Sequence, residues 1–242
     1  KGSKMNVKPL STALKCFDLL DTIAAQPGSV RISELGRMLG ESRATTYQRL
    51  LTLTAAGWLE RLADGSYRLS TKACRIASSA LKQAGFGDRA QPILDDLVDQ
   101  FGEAVSLVLL EQGKLVITQR AEGQGVLRAD LQVGAELTYS DSSSGAVWLA
   151  FGPAELIEDL RESGVKLPTK KQIESVQIEK ISIGGGGKSL PGISSIAVPI
   201  IDRTGVCVAS LSISGPDARF SPTDYVPALR DAADRLAAMA PY

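Results

Sequence analysis

The sequence predicts an α+β protein of 242 residues in two parts: a small helical domain closed by a β-hairpin, and a larger domain of antiparallel strands and helices. Three observations predict it. Apolar residues recur at helical spacing in short segments up to Gly57, and from Glu103 onward the period shortens to two. Charge divides the chain in the same way. Residues 1–70 hold ten Lys/Arg against six Asp/Glu and the remainder seventeen against twenty-one, so a formal net charge of zero conceals a basic front. A positive excess on a small domain favours an anionic partner such as DNA, although a solvated basic surface has the same composition. These shifts put one domain at 1–70 and another at 87–242, with a linker helix over 71–86.

Three short helices open the chain. In STALKCFDLLDTIAAQPG, Leu14, Phe17, Leu20 and Ala24 share a face, and Pro27-Gly28 stops the helix. Ser33 is placed to cap SELGRMLG, whose Leu35, Met38 and Leu39 form a stripe ending at Gly40. Ser42 is placed to cap SRATTYQRLLTLTAAG, with Ala44, Tyr47, Leu50, Leu51 and Ala55 facing inward. Two short helices joined by a tight glycine turn, with a preceding helix to complete a core, make a helix-turn-helix. The outward face of the third helix then carries Arg43, Thr45, Thr46, Gln48 and Arg49, side chains suited to base edges and phosphates, with no acidic residue between Ser42 and Gly57. WLERLADGSYRLS follows as a hairpin turning at Asp64-Gly65, where a winged helix carries its wing. Arg61 and Arg68 on it either reach phosphates or stand as solvated edge charges.

The linker TKACRIASSALKQAG gathers Ala73, Ile76, Ala77, Ala80 and Leu81 on one face, and RAQPILDDLVDQFG gathers Ile93, Leu94, Leu97, Val98 and Phe101 on another. AVSLVLLEQGKLVITQRA reads as two strands about Gln112-Gly113, continued by an extended stretch in LRADLQVGAELTYS. SGAVWLAFG and PAELIEDLRESG are helical, with Pro153 early in the second. ISSIAVPIID and VCVASLSISG return as strands turned by Arg203-Thr204-Gly205, and Ser221-Pro222 start a last helix that buries Tyr225, Leu229, Ala232, Leu236 and Met239.

Composition excludes several chemistries. The chain has no histidine, so Ser-His-Asp triads and HExxH zinc sites are ruled out and an enzyme would depend on carboxylates, Lys, Tyr or Cys. Cys16, Cys74 and Cys207 are odd in number and far apart, which predicts core thiols rather than disulfides or a metal site. No apolar run approaches the length of a membrane span and no secretory signal precedes Met5, which predicts a cytoplasmic protein without a membrane partner.

GGGGKS at 184–189 shares its ending with phosphate-binding P-loops. The first glycine of that pattern falls on Ser182, a helical segment (Ile173, Val176, Ile181) precedes it, and Pro191-Gly192 breaks the chain just after. A flexible glycine connection fits better than a phosphate cradle.

From Ile32 to Leu69 the run ISELGRMLGESRATTYQRLLTLTAAGWLERLADGSYRL resembles the winged helix-turn-helix of the IclR family of bacterial transcriptional regulators. VGAELTYSDSSSGAVWLA and GISSIAVPIIDRTGVCVASLSISGP resemble that family's effector-binding domain, in the same order and at similar spacing. Gln48 departs from the arginine usual at its place. The resemblance implies a GAF- or profilin-like carboxy-terminal domain with a pocket lined by Leu131, Val133, Ser144, Gly145, Ala146, Ser195, Ser212 and Ser214. A free helix end near Gly145 suits a carboxylate. Trp148 either floors that pocket or is plain core, and the alternating serines of LSISG either line it or form the wet face of a strand. The glycine stretch is then expected to be a mobile lid, with Lys188 pairing an acidic ligand.

The function expected is a regulator, most simply a repressor of a catabolic operon. It would bind double-stranded operator DNA as a homodimer or tetramer and respond to a small organic or aromatic acid or a derivative, with neither metal nor cofactor. The competing reading is an enzyme-like domain on a DNA anchor, with a nucleophile from SDSSSG and Lys188 or Asp141 as its base.

Overall fold

A computed structural model describes residues 8–83, 86–125, 131–186 and 190–240, and the chain divides into two compact units, residues 1–80 and 81–242. Lys188 and Gly187 lie outside the described residues.

The first unit holds α1 (Ser11–Ala24), α2 (Ile32–Leu39) and α3 (Arg43–Ala55), then the antiparallel pair β1 (Leu59–Arg61) and β2 (Tyr67–Leu69). Val30 adds a bridge to Tyr67 through a pair of 2.8 Å backbone hydrogen bonds, so the hairpin is tied to the chain ahead of α2. The core is Leu19, Leu20, Ile23, Leu35, Leu50, Leu53, Leu59 and Tyr67. The expected face of α1 is rotated: Leu14 and Phe17 are half exposed, as are Met38 on α2 and Tyr47 and Leu51 on α3. Each helix carries apolar residues on two sides, and periodicity alone cannot say which side meets the other helices. The cap of α2 also differs. Arg31 is the N-cap and Ser33 lies within the helix; the Glu34 carboxylate accepts from the Arg31 N–H at 3.1 Å. Gly40 ends α2 in the left-handed region at φ 64°, a conformation a side chain disfavours, and so permits the short turn into α3.

Helix α4 (Lys72–Gln83) follows, and its described side chains from Cys74 to Ala77 are exposed. Lys72 anchors its start, the Nζ donating to Ala56 O at 2.7 Å and lying 4.9 Å from the Trp58 ring centroid.

In the second unit α5 (Gly87–Phe101) precedes a six-stranded antiparallel sheet of order β5-β4-β3-β8-β7-β6. The strands are β3 (Ala104–Glu111), β4 (Lys114–Ala121), β5 (Glu136–Leu137), β6 (Ser182–Gly186), β7 (Leu190–Ile201) and β8 (Cys207–Pro216). One sheet face buries Val105, Leu107, Ile196, Val198, Leu211 and Ile213 against α5 and α9 (Pro222–Ala237). The other is covered by α6 (Ser143–Phe151), α7 (Leu156–Glu162) and α8 (Lys170–Glu179). Three local expectations fail. Ser221 makes no side-chain cap at α9, Pro153 precedes α7 rather than opening it, and Cys74 is exposed rather than a core thiol, while Cys16 is half-buried against the core of the first unit.

The glycine stretch is the largest surprise. Gly184 and Gly185 are not a loop but belong to the edge strand β6, pairing with Ser195 and Ser194 of β7. Glycine is a poor strand former, yet the ladder to a long neighbouring strand supplies the backbone partners that its side chain cannot. Among the described residues no helix is long and apolar enough to cross a membrane.

Candidate DNA-binding face and effector cavity

Ser42 caps α3 as its sequence position predicts, its Oγ accepting from the Thr45 N–H at 3.2 Å and sharing a 2.9 Å hydrogen bond with the Thr45 hydroxyl. From that start the helix exposes Arg43, Ala44, Thr45, Tyr47 and Gln48 and buries Thr46, Arg49, Leu50 and Leu53. The outward orientation expected for Thr46 and Arg49 is therefore corrected. Thr46 is fully buried, its hydroxyl donating to Ser42 O at 3.1 Å, an intrahelical bond that lets a polar side chain face a core. Arg49 is buried too and forms a salt bridge with Glu41 in the turn between α2 and α3. Its hydrogen bond holds the Glu41 carboxyl below its ordinary value, against the opposing effect of burial. Arg49 clamps the helix-turn-helix rather than its surface.

A cleft of about 670 Å³ runs between α3 and the hairpin, lined by Ile32, Arg43, Ala44, Tyr47, Arg61, Gly65 and Tyr67. Two guanidinium groups and no carboxylate border it, the arrangement a phosphate backbone requires. Arg68 stands apart. It pairs across the hairpin with Glu60 at 2.9 Å, both side chains near half exposure. Tyr47 is the residue that sequence reasoning missed, because its aromatic ring was assigned to the core.

In the second unit, β8 alternates from Ala209 to Ser214. Leu211 and Ile213 join the α5/α9 core, while Ser210, Ser212 and Ser214 face α6. Ser212 lies beside Ser106 of β3, and Ser214 beside Ser195 of β7, so that hydroxyls from three strands line one sheet face. Helix α6 covers them. Its N-cap Ser142 accepts from the Gly145 N–H at 2.9 Å, Ser143 shares a 2.5 Å hydrogen bond with Ser195, and the Ser144 Oγ is buried without a partner. Together these groups, with Asp141, Leu131, Ile117, Leu137, Leu190 and Ile193, line a cavity of about 40 Å³. It holds little more than one small polar group as it stands.

Of the residues expected to hold a ligand, Leu131, Ser144, Ser195, Ser212 and Ser214 meet at this cavity and the others do not. Val133 is largely exposed. Gly145 serves packing: a Cβ there would lie 2.6 Å from Thr138 O and 2.7 Å from Tyr139 Cα, so only glycine lets α6 approach this turn. Ala146 lines a neighbouring cleft of about 510 Å³ between α6, α8 and β6. Trp148 is core, its Nε1 donating to Val108 O at 3.3 Å. Ser106 and Ser143 were missed, although a serine inside the apolar run AVSLVLL was the visible signal.

Residues 12–63 match the model of the IclR helix-turn-helix domain, and residues 78–179 and 187–238 match that of the bacterial transcriptional regulator IclR C-terminal domain. The chain belongs to the IclR family. It is 28% identical over 218 residues to the HTH-type transcriptional regulator BhcR of Paracoccus denitrificans, spanning 86% of this chain and 78% of that protein. It is 25% identical over 229 residues to the transcriptional repressor IclR of Escherichia coli, spanning 89% and 82%. An IclR homologue of Microbacterium hydrocarbonoxydans, solved in complex with 4-hydroxybenzoate, superposes with a TM-score of 0.79 at 22% identity, covering 94% of this chain and 98% of that one.

This IclR-family chain is thus a transcriptional regulator with a DNA-binding helix-turn-helix domain, and its relatives are regulators rather than enzymes. Ser142 and Ser143 bond to Thr138 O, the Gly145 N–H and Ser195, and none of the three serines at 142–144 has a base as partner. Burial pushes the Cys207 thiol up to about 12, which leaves it inert.

Proposed function

We propose that the chain is a cytoplasmic repressor of a catabolic operon, bound to a pseudopalindromic operator as a dimer or a pair of dimers and released by a small organic acid. The buried, unpartnered Ser144 hydroxyl carries the ligand half of this reading. An orphaned polar group inside a protein costs about 1–3 kcal/mol, a cost that an occupant accepting its hydrogen bond relieves. The start of α6 beside it favours an anion, and the 4-hydroxybenzoate held by the Microbacterium homologue supports an acid as the ligand class.

On the DNA side, Thr45, Tyr47 and Gln48 of α3 read the major groove while Arg43 and Arg61 hold the backbone. Arg68 contributes only if DNA draws it from Glu60. The repressor sign is supported by relatives such as the Escherichia coli repressor. Dimerisation is supported by the exposed stripe of Leu10, Leu14 and Phe17 along α1, spaced to lie on one helical face, and by exposed Ile76 on α4. Selection from random duplexes by the full chain tests the reading. An enriched inverted repeat, bound by a dimer in light scattering and released by acids from a metabolite panel, is expected; no enrichment, or monomer throughout, overturns it.

A further inference from the structure

Arg120 on β4 is a deeply buried cation one strand from the cavity. Its side chain is 2% exposed, its Nε donates to Glu122 at 2.9 Å, and its Nη1 donates to the Ser106 Oγ at 2.7 Å. Arg120, Ser106 and Ser212 are cross-strand neighbours on β4, β3 and β8, so the arginine stands one strand behind the cavity wall that Ser106 forms. A guanidinium has five N–H donors and no acceptor. In its bond with Arg120, Ser106 is therefore the acceptor, and the hydroxyl hydrogen is left to point elsewhere. The cavity is where the wall opens.

A free serine hydroxyl rotates to donate or accept as its partner demands. One whose oxygen already accepts from a fixed guanidinium has a strong bias to donate. Across the cavity the Ser144 hydroxyl, without any partner, can donate to the same place, and the first turn of α6 offers backbone N–H groups. Donors converge from two sides, with Asp141 the one carboxylate among the described residues of the lining. Carboxylates accept only, with two oxygens, whereas a carboxamide of the same shape brings an NH2 that must face one of these donors.

We propose that Arg120 is a positioning residue which, by fixing Ser106 as a donor, makes the cavity select carboxylates over their neutral amides. This rests on the effector reading above and extends it from a ligand class to the residues that choose it. Arg120 itself does not touch the ligand. Its influence passes through one hydroxyl.

Calorimetric titration of the full chain with two acid and amide pairs, acetate with acetamide and benzoate with benzamide, tests it. Wild type is expected to prefer at least one acid over its amide by about tenfold or more, the value of one charge-assisted hydrogen bond. Ser106→Ala lowers acid affinity by a similar factor and leaves amide affinity nearly unchanged. Arg120→Gln does the same, Arg120→Lys restores part of the preference because an ammonium is also a pure donor, and the Ser106→Ala/Arg120→Gln double variant loses no more than either single one. If Arg120→Gln does not fold, the Ser106→Ala and Arg120→Lys arms decide alone. Equal binding of acid and amide by wild type, an unchanged acid preference in Ser106→Ala, or additive losses in the double variant overturns the proposal while leaving an effector site in place. Failure of wild type to bind any acid of these pairs or of the metabolite panel overturns the effector reading as well.

Discussion

Helices α3 and α6 start with the same device, a serine whose hydroxyl accepts from the N–H three residues on, at 3.2 Å for Ser42 and 2.9 Å for Ser142. They then diverge in what they do with polarity. Helix α3 turns Arg43, Tyr47 and Gln48 to solvent and keeps Arg49 inside, its charge met by Glu41, whereas α6 leaves no side chain exposed and confronts a sheet face of serines. Both ends suit an anion. A long polyanion, though, is met by exposed guanidinium groups acting through water, and a small one by neutral hydroxyls in an enclosed space where each hydrogen bond counts for more. On the proposed reading, one site is tuned by charge and salt, the other by donor geometry.

The sharpest way to break this contrast is at Arg49, which by composition belongs with the readers and by structure with the core. Arg49→Ala is expected to destabilise the first unit by about 3 kcal/mol, since it leaves Glu41 in a largely buried turn without its partner. Thermal or urea unfolding measures this, and DNA affinity at a temperature where the variant is folded should change little. The pair also has a pH signature. Because the folded Glu41 value is depressed, its stabilisation is complete above the ordinary 4.5 and is lost as pH falls through the lower folded value. Unfolding midpoints of wild type and Glu41→Gln should therefore converge on acidification. If Arg49→Ala melts like wild type and loses DNA binding, α3 faces the other way.

Next come the exposed residues. Tyr47→Ala and Gln48→Ala should each cost about 1–3 kcal/mol on the selected operator and far less on random duplexes, without a change in melting. Arg43→Ala and Arg61→Ala should weaken both DNAs alike and reduce the salt slope by about one. Fluorescence anisotropy across a salt series separates the two patterns. Uniform losses for all four variants would reduce the face to a phosphate holder.

Why one site was more legible than the other follows from these residues. Strand alternation in LSISG was legible because a sheet has only two faces, and the serine face turned out to be covered by α6. Helices α1 and α3 carry two apolar stripes each, and the stripe that read as core, Leu14 with Phe17 or Ala44 with Tyr47, is the exposed one. A partner-facing surface mimics a core in composition. The Glu41 and Arg49 pairing, the register that brings Arg120 to Ser106 and the strand formed by Gly184 and Gly185 were not legible, since each depends on which segments become neighbours.

The two caps give a smaller and more symmetric effect. Ser42→Ala and Ser142→Ala should each cost about 1 kcal/mol, the usual value of an N-cap hydroxyl. The difference lies in function: the first should lower DNA affinity modestly by fraying the start of α3, while the second should lower acid binding and spare DNA. Equal effects of both variants on both ligands would mean that the two units respond as one body.

The smallest effect on stability is expected at Ser144, and its smallness is the point. Its Oγ is buried and has no partner, so Ser144→Ala removes an unsatisfied group and leaves the empty protein as stable as wild type or slightly more so. A hydroxyl kept for structure behaves otherwise: Ser142, which bonds both to Thr138 O and to the Gly145 N–H, should be missed when it is removed. If the Ser144 hydroxyl exists for a ligand, the same substitution must appear in the acid-bound protein, where the melting increment produced by saturating acid shrinks because one hydrogen bond of the complex is gone. Paired thermal scans with and without acid measure both quantities in one experiment. A variant that melts well below wild type without acid and keeps its full increment with it would make Ser144 part of the scaffold, and the orphaned hydroxyl would no longer argue for an occupant.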